Sequence, residues 1–484
     1  MRKTSIRIAV IALVVACSIG LAWAEASGAT KYVALGDSLT AGYMNGGLAE
    51  QYNSFPALFY KQLTGRTDGF EQPIVSQPGI PAQLELRGLF PTVLKPKSGN
   101  AAPLNLSLAR PYDNLGIPGA TLREVLDKTR GGIFNLILRN PTLGNTTALQ
   151  QALVLHPTIL TVWVGNNDAL GAATSGNPAL LTPLENFQKD YDTLINALTA
   201  TGAQLVLGNI PDVTSIPFVS TIPPILVNPN TNKPVIIGGS TVPLIGPDGT
   251  TPLGSADKVL LTASSYLALG CGIPAAAGGV AGLPAGTQAA CPTGGLPDNA
   301  VLLVAQVATI QARVQAFNTV IRNKAQAIGA GHVDANAVLL DIAAHGIEIG
   351  GLDYTGAFLT GGFFSYDGVH PTQLGYAYVT NLFIDAANEA YDLNIPKVDL
   401  YPFVFGSGSQ ASRLPDFMAE GAILSPAAIN NVLTATAAES SAVSIELDTR
   451  HIKRRGRLAH PRIHVPLPSW LSPLRRHRDP VRMR

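Results

Sequence analysis

The chain has 484 residues, 46% of them apolar and only 13% charged, with 48 Gly and 36 Pro. That balance excludes wholesale disorder, puts many residues in loops, and leaves room for two or three domains or one large decorated one. The net charge of +1 conceals +3 in residues 1–24, +10 in residues 450–484 and −12 between them, where 31 acids outnumber 19 bases. An acidic body excludes a nucleic-acid-binding core, which needs a basic face to displace counterions from phosphates.

Arg2, Lys3 and Arg7 precede an apolar run from Ile8 to Ala16 that continues to Leu21, followed by Ala22-Trp23-Ala24. Small residues at the −3 and −1 positions predict a signal peptide over 1–24, cleaved after Ala24, and the run is shorter than the ~20 residues of a bilayer span. A competing reading takes Val14-Val15-Ala16-Cys17 as a lipoprotein site, but Ile19 to Trp23 remain apolar where a lipoprotein turns polar. The chain is therefore expected outside the cytoplasm: periplasmic, secreted or bound to the cell envelope.

Lys31 to Leu35 reads as a buried strand ending in Gly36-Asp37-Ser38. Residues 65–110 read as loop. Thr158 to Val164 and Gln204 to Leu207 are further β-branched or aliphatic strands. Between them Leu184, Phe187, Tyr191, Leu194 and Leu198 recur at helical spacing, and Thr182-Pro183-Leu184-Glu185 predicts a capping box. Residues 211–300 hold 13 Pro and 13 Gly, too many for a continuous helical layer, and read as an insertion with strand pieces such as Lys233 to Ile237. A helix follows through Val307, Ile310, Val314, Phe317 and Ile321, and another from Pro371 to about Tyr391. After Ile395 no alternation remains, which gives an extension over 401–449 and a basic, disordered tail over 450–484.

Strands alternating with amphipathic helices predict a parallel sheet covered on both faces, with reactive groups in loops at the carboxyl ends of its strands. Cys271 and Cys291, an even pair in an exported chain, favour a disulfide closing about 20 residues, worth roughly 3 kcal/mol. No His or carboxylate lies near either thiol, so no metal site is expected there.

Four clusters carry chemistry. Ser38 ends the first strand. Asn114 to Thr121 is a Gly-rich turn before a helix starting at Leu122, suited to offering backbone N–H groups to an anion. Gly165-Asn166-Asn167-Asp168 follows the second strand and adds an amide to the same row of loops. Asp367-Gly368-Val369-His370 precedes a helix, with Asp and His spaced to share one turn and the imidazole free to face Ser38.

In this order the clusters resemble the SGNH hydrolases, or GDSL esterases and lipases, over about Lys31 to Ile395. The resemblance implies a three-layer α/β/α sandwich of flavodoxin-like order, a hydrolase domain over 25–400 with 211–300 inserted. It makes Ser38 the nucleophile, His370 the base and Asp367 its partner. Oxyanion donors would be Ser38, Gly119 (chosen over Gly116) and Asn167, with Asn166 the variable position. Neither metal nor organic cofactor is implied.

Ahead of the basic tail the other histidines, His156, His332 and His345, are expected to cap or be solvated. Asp212 is read as a turn carboxylate or a pocket wall. An apolar set in the insertion, Ile222, Ile225, Leu226, Ile236 and Ile237, suggests an acyl pocket or lid, and hence small-molecule or lipid esters as substrates. A carbohydrate acetyl esterase and a catalytically silent surface-binding module are the alternatives. The basic tail suits a weak envelope contact, and the oligomeric state is not legible.

Overall fold

A computed structural model describes residues 30–405, apart from 90–91, 141, 229–230, 232, 279 and 281–290, together with a short strand at Ile423–Leu424. Residues 1–24, read as a signal peptide, together with Cys17, the basic tail and most of the 401–449 extension, lie outside the described residues.

Five strands form one parallel sheet: β1 (Tyr32–Gly36), β2 (Asn114–Gly116), β3 (Ile159–Trp163), β4 (Gln204–Gly208) and β5 (Gly331–Val333). Their spatial order is β2-β1-β3-β4-β5, with Ala34 between Asn114 and Thr161, and Val162 beside Leu207. The period of two along each strand sends alternate side chains to opposite faces. Tyr32, Ala34, Ile159, Trp163 and Val206 enter one core with Phe55, Phe59 and Phe383, while Val33, Leu35, Leu160, Val162, Leu205 and Leu207 enter the other with Phe187, Tyr191 and Phe317.

Helices seal both faces, which makes the molecule a three-layer α/β/α sandwich. Besides the one-turn α1 (Ser38–Ala41), α2 (Phe55–Thr64) and α7 (Gln373–Tyr391) lie on the first core. The second is covered by α3 (Leu122–Asp127), α4 (Asn167–Ser175), α5 (Leu184–Thr199) and α6 (Val304–Ile328). Val307, Ile310, Val314, Phe317 and Ile321 are all buried on α6, as their spacing predicts.

Several local readings are corrected. The edge strands β2 and β5 have three residues each, too few to register as apolar runs. Residues 65–110 contain an antiparallel pair, Leu84–Leu89 with Thr92–Pro96, which Ile423–Leu424 extends in parallel, so strand also occurs after Ile395. Tyr401–Phe405 is a short helix. Pro183, not Thr182, caps α5, and with no side chain there to accept an N–H the expected capping box is absent; the Thr182 hydroxyl donates to Asp168.

The described residues of the 211–300 insertion fold as short pieces, including the strands Lys233–Pro234 and Ile236–Ile237. Cys271 and Cys291 are joined as a disulfide, with Cα atoms 5.6 Å apart. Val219, Leu244, Leu260 and Leu296 share a core with β1 and β3, so the insertion is packed onto the sandwich. Among the described residues no helix is long and apolar enough to cross a membrane.

Candidate active site

Ser38, Gly119 and Asn167 each follow one of the three adjacent strands β1, β2 and β3 at the carboxyl edge of the sheet. This order places a topological switch point between β1 and β3, where ligands of open α/β sheets bind. Gly36 is required at the end of β1, because a Cβ there would overlap the Thr40 hydroxyl and the Trp163 carbonyl. Asp37 caps the single turn of α1, accepting Leu39 N–H at 3.1 Å. Ser38 begins that turn, so its own N–H has no partner within the helix.

The Ser38 hydroxyl lies 2.9 Å from Nε2 of His370, and Nδ1 of His370 lies 3.0 Å from Oδ2 of Asp367. All three side chains are buried, at 2%, 0% and 0% exposure. A carboxylate only accepts, so Nδ1 carries the proton and Nε2 of the neutral ring faces the hydroxyl as an acceptor. Burial alone would push the Asp367 carboxyl up; the adjacent imidazole and the N–H groups of Val369 and His370 hold it below the usual value.

A second segment fixes the acid. Asn45-Gly46 forms a two-residue hairpin turn between Met44 and Gly47, with φ of 55° and 75°. Gly46 N–H donates to Oδ2 of Asp367 at 2.8 Å, Asn45 N–H donates to Ser365 Oγ at 2.9 Å, and Asn45 Oδ1 accepts Tyr366 N–H at 2.9 Å. The Tyr43 ring packs 4.8 Å from the His370 ring and closes that side to water.

Facing Ser38 across β1, Ile117-Pro118-Gly119-Ala120 makes a type II turn: Ala120 N–H donates to the Ile117 carbonyl at 3.1 Å and Gly119 has φ 78°. Asn167 opens α4 and donates from Nδ2 to the Ala120 carbonyl at 2.9 Å. Since a carbonyl only accepts, this bond sets which way the amide points and leaves a second Nδ2 proton available. Such a set suits nucleophilic attack on an acyl carbon with donors aimed at the resulting oxyanion.

A family model described as GDSL-like lipase/acylhydrolase matches residues 32–383, from β1 into α7. The chain belongs to the GDSL-like lipase/acylhydrolase family. It is accordingly a hydrolase of the esterase/lipase type. No curated protein and no solved structure matches it.

Within this GDSL-like hydrolase the blocks are tied together by buried carboxylates that sequence reasoning left unassigned. Asn166, read as variable, donates from Nδ2 to Oδ2 of Asp37 at 2.7 Å and so joins the β3 loop to the nucleophile turn. Asp168 accepts Leu122 N–H at 2.8 Å and the Thr182 hydroxyl at 2.8 Å, which anchors α3 behind Gly119 to α4. Burial pushes the Asp37 carboxyl up to about 6, with the Asn166 amide opposing, and pushes Asp168 up to about 7. The Asn45-Gly46 pair was a legible turn signal; its aim at Asp367 was not.

The other candidates stay outside the site. His156 is exposed in a turn, and His345 pairs with Asp341 at 2.8 Å on an exposed helix end. His332 corrects the expectation of a cap or a solvated ring, because it sits half-buried in β5, where burial lowers its pKa. Asp212 accepts from Thr214, Ser215 and Gln311, three residues that line a cavity of about 390 Å³. The apolar set of the insertion does not make one pocket: Ile222 and Leu226 are buried in the core, whereas Ile236 and Ile237 are exposed.

Proposed function

We propose that this GDSL-like hydrolase is an exported serine esterase that cleaves carboxylic esters. The reading is carried by the run of hydrogen bonds from Ser38 through His370 to Asp367. His370 removes the Ser38 proton as the hydroxyl oxygen attacks the ester carbonyl, and Asp367 stabilises the imidazolium. The oxyanion receives the N–H groups of Ser38 and Gly119 and the free amide proton of Asn167. His370 then returns its proton to the departing alcohol, and water attacks the acyl-enzyme by the same route in reverse.

Export is supported by the leader pattern of residues 1–24 and by the Cys271–Cys291 pairing, which suits an oxidising compartment. Acyl or aryl esters are favoured over sugar esters, because Trp163 is spent in the core, donating its ring N–H to the Asn209 carbonyl, and offers no stacking platform. A series of p-nitrophenyl esters from acetate to palmitate, run on wild-type protein and Ser38→Ala, tests the reading. Hydrolysis is expected from wild type alone, and equal rates would end the assignment of Ser38 as nucleophile.

A further inference from the structure

Beyond the hydrolytic site, the insertion carries an apolar hairpin that the described residues leave uncovered. At its base Val235 and Val242 are buried, and Val242 N–H donates to the Val235 carbonyl at 3.1 Å. Leu226 braces this base, accepting Val235 N–H and donating to the Val242 carbonyl. Above it Ile236–Ile237 pairs antiparallel with Ser240–Thr241 across Gly238-Gly239, whose φ values are 58° and 83°.

Every residue from Ile236 to Thr241 is exposed, with Ile236 at 56% and Ile237 at 39%. A Cβ added at Gly238 or Gly239 would meet open space. Neighbouring strand residues point to opposite faces, so exposure of both isoleucines means that the hairpin stands clear of the body on both sides. A protein groove that receives a strand face covers one side; a fluid apolar medium accommodates both.

Charge agrees with that occupant. No charged residue occurs from Pro234 to Pro247, and the first one before the tip, Lys233, is exposed at the foot of the hairpin. At ~3.3 Å per residue Lys233 stands roughly 10 Å from Ile236. Interfacial segments bury their apolar side by about 5–10 Å, with cationic side chains reaching back to the headgroups. We propose that the hairpin tip at 236–241 inserts into a lipid surface, with Lys233 held against the lipid phosphates. The same insertion touches the proposed catalytic loop, where Phe218 N–H donates to the Gly368 carbonyl at 2.8 Å.

The proposal stands apart from the esterase reading and is tested in the full-length Ser38→Ala chain, which hydrolyses no lipid if that reading holds and binds by the same hairpin if it fails. In that chain Ile236→Trp is mixed with phosphatidylcholine vesicles bearing brominated acyl chains, and emission is compared with the Ser38→Ala parent. Quenching of the added emission is expected. Ile236→Ser with Ile237→Ser is expected to lower partitioning onto the same lipid by ~10-fold or more, with an unchanged circular dichroism spectrum. Unquenched added emission, or equal partitioning of the parent and the double variant, would overturn the proposal. So would self-association without vesicles that the double variant abolishes, which assigns the tip to a second copy of the chain.

Discussion

Gly46 N–H and Nδ1 of His370 converge on one oxygen, Oδ2 of Asp367, at 2.8 and 3.0 Å. The other oxygen takes the N–H groups of Val369 and His370 at 2.9 and 2.8 Å. Four donors therefore face a fully buried carboxylate, and none of its contacts has room for a donor in return. In Asp367→Asn the new NH2 group would confront the Val369 and His370 N–H groups in one orientation; in the other it would confront Gly46 N–H and drive the His370 proton from Nδ1 to Nε2, the wrong tautomer for a base. Loss of the proposed acid in a Ser-His-Asp set typically lowers kcat by about 10⁴, and the unpaired donors add a stability cost of ~1–3 kcal/mol. Steady-state kinetics on a soluble ester and a thermal melt check both; a kcat close to wild type would remove Asp367 from the proposed triad.

Asn167 and Asn166 are neighbours with different predicted roles. Asn167→Ala removes the amide held by the Ala120 carbonyl and is expected to lower kcat by about 10² to 10³ with little change in KM. Asn166→Ala instead leaves Asp37 buried without its amide donor, so its main expected effect is a lower melting temperature. Comparing kcat, KM and Tm for the two variants separates an oxyanion donor from a structural tie. A kcat effect confined to Asn166→Ala would reverse the assignment.

What was legible in the sequence follows from what is local. Ser38, Asp367 and His370 stand in short patterns beside strand and helix ends, and the longer strands β1 and β3 are buried along their whole length and mainly apolar because both faces of the sheet are covered. The edge strands β2 and β5 escaped because three residues such as Asn114-Leu115-Gly116 carry no period. The Gly46–Asp367 contact escaped because it joins positions 321 residues apart, a separation no local pattern reports. Ile236 and Ile237 were grouped with Ile222 and Leu226 as an acyl pocket or lid for a related reason: composition marks all of them as apolar, but only their exposure in the folded chain separates the hairpin pair from the buried ones.

The disulfide is predicted to act on stability and not on catalysis. Cys271 and Cys291 close a loop across 20 positions, so replacing both with Ala frees the unfolded chain by roughly 3 kcal/mol. The contacts that reach the proposed catalytic loop, Phe218 with Gly368 and Leu261 with Phe218, lie outside that loop. The double variant should therefore melt several degrees lower yet keep its kcat at 25 °C. An unchanged melting temperature would show that the loop is held by its other contacts alone, and a lost kcat would tie the disulfide to the site.

Asp168 offers a pH test whose sign is fixed by its burial. Burial pushes its carboxyl up to about 7, the charges of Asp37 and Asp190 adding to this and the bonds from Leu122 N–H and the Thr182 hydroxyl opposing it. In the unfolded chain the group titrates near 3.9. Between about pH 4 and 7 the folded protein thus holds a proton that the unfolded chain lacks, and the stability from this group is lost as pH rises through about 7. Asp37, pushed up to about 6, has the same sign; Asp367, held low, has the opposite one and loses its contribution on acidification. Asp168→Asn keeps the geometry, because the amide oxygen can still accept Leu122 N–H while its NH2 group donates to the Thr182 oxygen. Unfolding free energies at pH 5 and pH 8 should then differ less in the variant than in wild type, and equal differences would mean that Asp168 ionises in the folded protein as it does in the unfolded chain.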